Sequence, residues 1–249
     1  MSLRSLQNEI ISSILYTSAI VRQQGTRLIA PIAVDAVFFF LLGFVQSGLI
    51  AKIVEYLSAS GVDMIHNLGF QSEYFPLLVM LIVAAIIILF LLYTIFQGTA
   101  WWLCRQLVKR ENYSSYMIAF TLTSLVWGIN YTIYSLAGLL VSIRETITKQ
   151  AQTTANTFLF IYLLVIIFFA GISYIKTEKS FKKTMRGTFS KRNIIGIIPH
   201  YALIAAAFLL ISLVLGRASG ATTFIIQLVI VLPLLTLSRL YLASALRDN

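Results

Sequence analysis

The sequence predicts an all-α protein: a polytopic bundle of six transmembrane helices, with an amphipathic helix at its N-terminal end. Three observations predict it. Hydrophobic residues make up 59% of the 249, against about 45–50% in soluble domains. Charged residues make up 11%, less than half of the usual ~25%. The apolar residues also gather into six stretches near the ~20-residue length that crosses about 30 Å of hydrocarbon. A soluble fold of this length cannot hide so much apolar surface, because it needs a polar exterior. A bilayer removes that need.

The elements follow in order. Residues 3–22 place Leu3, Leu6, Ile10, Ile14 and Val21 at helical spacing, with Arg4, Gln7, Asn8 and Ser12 between them. That pattern suits a helix lying on the membrane or packed against the bundle. Ser12, Ser13, Thr17 and Ser18 interrupt the apolar run and no small-residue cleavage site follows, so a secretory signal is not expected. The six spans are expected at 29–51, 75–100, 117–143, 157–175, 194–215 and 221–242. The longest connection, Lys52 to Tyr74, leaves no room for a soluble domain, so residues 1–249 are read as one integral membrane domain.

Charge sets the orientation. With the N-terminus inside, 15 of the 19 Lys and Arg residues fall on the cytoplasmic side and only Lys52, Arg144, Lys149 and Arg217 fall outside. Cytoplasmic loops carry such an excess, so both ends are expected in the cytoplasm of a cell-membrane protein. The net charge of +10 is thereby assigned to an anionic membrane surface rather than to nucleic acid.

The most basic connection, 176–192, holds Lys176, Lys179, Lys182, Lys183, Arg186, Lys191 and Arg192 against one acid. Phe181, Met185 and Phe189, spaced by four, share one helical face. The segment reads either as a surface helix contacting anionic lipid headgroups or as a topology signal alone. The three cytoplasmic returns also look alike, as three out-and-back hairpins would.

Catalytic chemistry leaves no mark. There is no pair of intramembrane aspartates, no G-x-S-x-G, no H-E-x-x-H and no phosphate-binding loop. Two histidines and one cysteine, Cys104, build neither a His- or Cys-rich metal site nor a disulfide. No cofactor or metal is expected, and the chain is not expected to be an enzyme. Asn112-Tyr-Ser and Asn130-Tyr-Thr match glycosylation sequons, but on the cytoplasmic side and inside a span.

Polar residues within the spans carry the functional interest, because an ionisable group in hydrocarbon is costly unless it faces protein or water. Asp35 in the first span, Gln97 in the second, His200 in the fifth and Arg239 in the sixth fall at similar depth in the cytoplasmic half. Pro31 and Pro199 sit close by and can loosen their helices. Two readings fit: a cytoplasm-facing polar cleft for a substrate, ion or headgroup, or an Asp35–Arg239 or Asp35–His200 pair that fixes helix packing. Asn130, deeper and alone, is expected to bond across one helix contact, and Gly43 with Ser47 to form a close one.

The stretch KTEKSFKKTMRGTFSKRNIIGIIPHYALIAAAFLLI and the Pro31-x3-Asp35-x3-Phe39 entry to the first span resemble uncharacterised prokaryotic multi-pass families. Those families are similar to the membrane domain of glycerophosphodiester phosphodiesterases. The resemblance covers about a fifth of the chain. Nothing in the 249 residues resembles the catalytic domain of those enzymes, so it implies no catalytic residue. The expected function is a scaffold, envelope or accessory subunit acting through helix and lipid contacts. The alternative is a small transporter or channel using the cleft around Asp35. Expected partners are anionic membrane lipids and further chains in a homo- or hetero-oligomer.

Overall fold

The computed structural model describes residues 3–59, 74–148, 152–177, 180–215 and 221–245. Every regular element among them is helical. They are α1 (Leu3–Gln24), a 3₁₀ turn (Gly25–Leu28), α2 (Ile29–Ala59), α3 (Tyr74–Leu92), a π-helical turn (Tyr93–Gln97), α4 (Gly98–Gln106), α5 (Tyr113–Thr148), α6 (Thr153–Ile175), α7 (Phe181–Thr188), α8 (Lys191–Leu215) and α9 (Ala221–Ala245). Five runs are long and apolar enough to cross a membrane: Gln7–Leu49, Val79–Gln106, Tyr113–Ser142, Thr153–Ile175 and Asn193–Leu213. Within α9, Val229–Ala245 is a shorter apolar stretch. Their outer faces expose large apolar side chains such as Phe40, Met80, Ile87, Leu140, Phe158 and Leu210, as lipid-facing surfaces do.

The 3₁₀ turn is a sharp bend. Thr17 on α1 bonds Ser244 of α9 at 2.8 Å, while Asp35 on α2 bonds Arg239 of α9. Five residues of α9 cover about 7.5 Å, whereas the 18 residues from Thr17 to Asp35 would cover about 27 Å in a straight helix. The chain must therefore fold back at Gly25–Leu28, laying α1 against the C-terminal end of α9. Pro31 falls in the first turn of α2, where its missing N–H costs nothing. It follows the bend instead of loosening the helix.

The face that α1 buries differs from the apolar pattern. Ser13, Thr17 and Ile20 are buried, while Ile14 is 44% exposed and Ile11 and Leu15 also face outward. In lipid, apolar side chains gain little by leaving hydrocarbon, and close packing falls to small and hydroxyl residues. The 176–192 segment is not one continuous helix. Only Phe181–Thr188 is a separate helix, Lys191 and Arg192 open α8, and the buried residues of α7 are Thr184 and Thr188. Lys179 lies outside the described residues.

Antiparallel α5 and α6 are closed at successive levels. Trp127 Nε1 donates to Ser173 Oγ at 3.0 Å, and Tyr162 donates to Asn130 Oδ1 at 3.0 Å. At the far end Glu145 accepts the Gln152 N–H at 2.6 Å and the Asn156 amide at 2.8 Å. Asn130 thus bonds across one helix contact, as its place in the sequence suggests. Among the described residues Gly43 makes no close contact, with none of them within 4 Å of a β-carbon there, and Ser47 bonds back to its carbonyl. The core between the helices is aromatic: Trp101, Tyr116, Phe120, Trp127 and Tyr174 are buried together, with Tyr93 packed against them.

Candidate functional site, a buried ring of Asp35, Gln97 and Arg239

Asp35 stands two turns into α2, on the same side as buried Pro31 and Phe38. Gln97 is the last residue of the π-helical turn, an insertion that rotates the helix and often marks functional positions. Arg239 comes from α9, six residues before its end. All three side chains are buried, Asp35 completely.

They close on one another. Arg239 Nη1 donates to Asp35 Oδ2 at 2.5 Å. Gln97 Nε2 donates to Asp35 Oδ1 at 3.2 Å, and Arg239 Nη2 donates to Gln97 Oε1. The result is a cyclic network joining three helices, with both carboxylate oxygens and both ends of the amide occupied. The Arg239 guanidinium also lies 5.7 Å from the Trp101 ring centroid, where the ring face attracts a cation. Charge is balanced within the ring, the condition under which hydrocarbon tolerates a carboxylate.

No protein-family model, curated protein or solved structure matches the chain. The geometry therefore carries the functional argument.

His200 does not join the ring. Its Nδ1 lies 2.6 Å from the Tyr241 hydroxyl, and it is buried against that tyrosine. Arg239 and Tyr241 are two residues apart, about 200° around the helix. They leave α9 on opposite sides, Arg239 toward α2 and α4, Tyr241 toward α8. An Asp35–His200 pair is thus excluded by the rotation of α9, although the depth of His200 is close to that of Arg239. Three of the four candidate polar residues meet, and the fourth belongs to a separate contact.

Several residues around the ring gave no signal in the sequence. Thr236, one turn before Arg239, has a fully buried hydroxyl with no hydrogen-bond partner among the described residues. Cys104 is buried beside it, with Sγ 3.8 Å from the Thr236 carbonyl oxygen. Two turns beyond Gln97, Arg105 donates to the Ile175 carbonyl at 2.6 Å and to Glu111 at 2.6 Å. It satisfies a carbonyl at the C-terminal end of α6, where a cation is favoured. Sequence spacing alone does not pair Arg105 with a helix 70 residues away. Among the described residues no three His, Cys, Asp or Glu side chains gather into a metal-binding group.

Of the candidate headgroup contacts, Lys182, Lys183 and Arg186 are exposed on α7 and Lys176 is half-buried. The side chains of Lys191 and Arg192 lie outside the description.

Proposed function

We propose that the chain is a non-enzymatic, six-span protein of the cell membrane, with both ends in the cytoplasm, serving as a scaffold, envelope or accessory subunit through helix and lipid contacts. The ring of Asp35, Gln97 and Arg239 is the observation that carries this reading. Its polar groups are bonded to one another and buried, so they tie the first, second and last spans together and leave little capacity for a substrate. The 25 residues of α9 suffice for a sixth crossing of about 30 Å. The side distribution of Lys and Arg supports the orientation. The resemblance of the 176–211 stretch to uncharacterised multi-pass families, themselves similar to a phosphodiesterase membrane domain, fits a membrane-embedded, non-catalytic role.

Orientation is tested with Lys52→Cys and Lys182→Cys, each in a Cys104→Ser background, and an impermeant thiol reagent on intact cells. Lys52→Cys is expected to label and Lys182→Cys to stay protected until the membrane is opened. Labelling of both from outside overturns the arrangement.

Two observations favour the alternative of a small transporter. The π-helical turn ends on Gln97, and the Thr236 hydroxyl, without a partner among the described residues, lies one turn from Arg239. A transport site at the ring requires Asp35→Asn to abolish a pH-dependent flux in proteoliposomes while leaving thermal stability nearly intact. A scaffold requires the reverse, a loss of stability.

A further inference from the structure

The basic connection between α6 and α8 is usually the place for a solvated loop, yet here it is fastened to the bundle. Thr184 and Thr188 are wholly buried. The Thr188 hydroxyl lies 3.0 Å from Ser173 Oγ, the same atom that accepts the Trp127 indole N–H. Asn193 Nδ2 donates to the Gly187 carbonyl at 2.7 Å, satisfying the end of α7. The Phe189 ring packs 5.3 Å from Phe169.

With the threonine face turned inward, Lys182, Lys183 and Arg186 project outward together. Lys182 and Arg186 are four residues apart and Lys183 and Arg186 three, so neighbouring side chains start about 5–6 Å apart. That spacing suits one phosphate held between two cations. Like charges at this spacing repel. The sequence of α7, FKKTMRGT, holds no acid, and none of the three forms an ion pair among the described residues. Packing does not require them, because the threonines supply it.

We propose that α7 is a preformed site for the phosphate headgroups of anionic phospholipids, with Lys182, Lys183 and Arg186 as its cations. The proposal rests on the reading of the chain as membrane-embedded with α7 at the cytoplasmic surface. Apolar side chains decide the lipid over a soluble polyanion. Phe189 is 56% exposed at the end of the helix, and Phe181 and Met185 are half-buried. An exposed phenylalanine beside three cations fits the boundary between headgroups and acyl chains and has no use toward an aqueous polyanion. Each base near an anionic surface adds about a fivefold preference, so three give on the order of a hundredfold. Because Thr188 holds α7 to Ser173, and Ser173 holds α5 through Trp127, a bound headgroup stabilises the α5–α6 pair.

The test uses the full chain in nanodiscs of phosphatidylcholine and of phosphatidylcholine with phosphatidylglycerol. The readout is the difference in Tm between the two lipids, at low and high salt. Bound lipid is counted by native mass spectrometry. The wild type is expected to gain Tm with phosphatidylglycerol, less so in high salt. The triple variant Lys182→Gln, Lys183→Gln, Arg186→Gln is expected to lose the gain and the retained phosphatidylglycerol. Thr188→Val is expected to retain the lipid but show a smaller gain, which separates binding from coupling. An equal gain in the triple variant, or no gain in the wild type, overturns the proposal. Equal protection of detergent-solubilised protein by short RNA overturns the lipid assignment. Labelling of Lys182→Cys from outside intact cells overturns the orientation instead, so the two failures are distinguishable.

Discussion

Tyr201 fills the space beside Gly171. A β-carbon on Gly171 would stand 2.8 Å from Tyr201 Cζ and closer still to the hydroxyl. The glycine is what lets α8 approach α6 at this level, with the Phe168 and Tyr201 rings 5.4 Å apart. Gly171→Ala is expected to lower stability by about 1–3 kcal/mol, the usual cost of overpacking, read as a drop in Tm in detergent. Tyr201→Ala in the same chain should recover part of that loss, because it empties the space. Equal Tm for wild type and Gly171→Ala would mean that α6 and α8 do not meet here.

The ring gives a second prediction. Removing one member of a buried ion pair costs about 3–5 kcal/mol, because the other charge is left uncompensated. Asp35→Asn strands Arg239, and Arg239→Gln strands Asp35. The double variant is expected to lose less than the sum of the two, by at least about 1 kcal/mol, as directly bonded partners do. Thermal unfolding of the four proteins in one detergent measures this. Strictly additive losses would show that the two charges do not interact.

Ser173 is the joint between α5, α6 and α7. Ser173→Ala leaves the Trp127 indole N–H short of its partner, at about 1–3 kcal/mol for a buried group that finds no other, and leaves the Thr188 hydroxyl only the Thr184 carbonyl of its own helix. The expected sign is local: faster trypsin cleavage after Lys182, Lys183 or Arg186, as α7 loosens from the bundle. An unchanged cleavage rate would mean that Thr188 does not fasten the helix.

Asn130 predicts a smaller effect. Its amide also donates to the Val126 carbonyl of its own helix at 2.8 Å, so losing Tyr162 leaves it only partly unsatisfied. Tyr162→Phe is expected to cost about 0.6 kcal/mol, the average for a hydrogen bond between membrane helices. A loss above about 2 kcal/mol would show that the bond matters more than its neighbourhood indicates.

Depth was legible in the sequence and rotation was not. Counting residues from the cytoplasmic edge brought Asp35, Gln97 and Arg239 to one layer, and they meet there. The same count brought His200 alongside, but which side of α9 faces α8 depends on the packing of every helix around it. The π-helical turn before Gln97 is equally silent, since one extra residue in a turn leaves hydropathy unchanged. The packing face of α1 is hidden for a different reason. Apolar periodicity marks the buried side in water, where apolar groups are driven inward. In a bilayer it marks the lipid side as readily, and Thr17 is a residue that packs.

Asp35 on α2 is synthesised well before Arg239 on α9. With 204 residues between them and synthesis at about 5–20 residues per second, the carboxylate waits on the order of 10–40 s for its countercharge. Gln97 arrives in that interval and offers an amide but no positive charge. A nascent chain that stops short of α9 therefore keeps the Asp35 carboxylate without the cation that balances it. Arrival of α9 supplies that cation, so the ring closes only once Arg239 has been made.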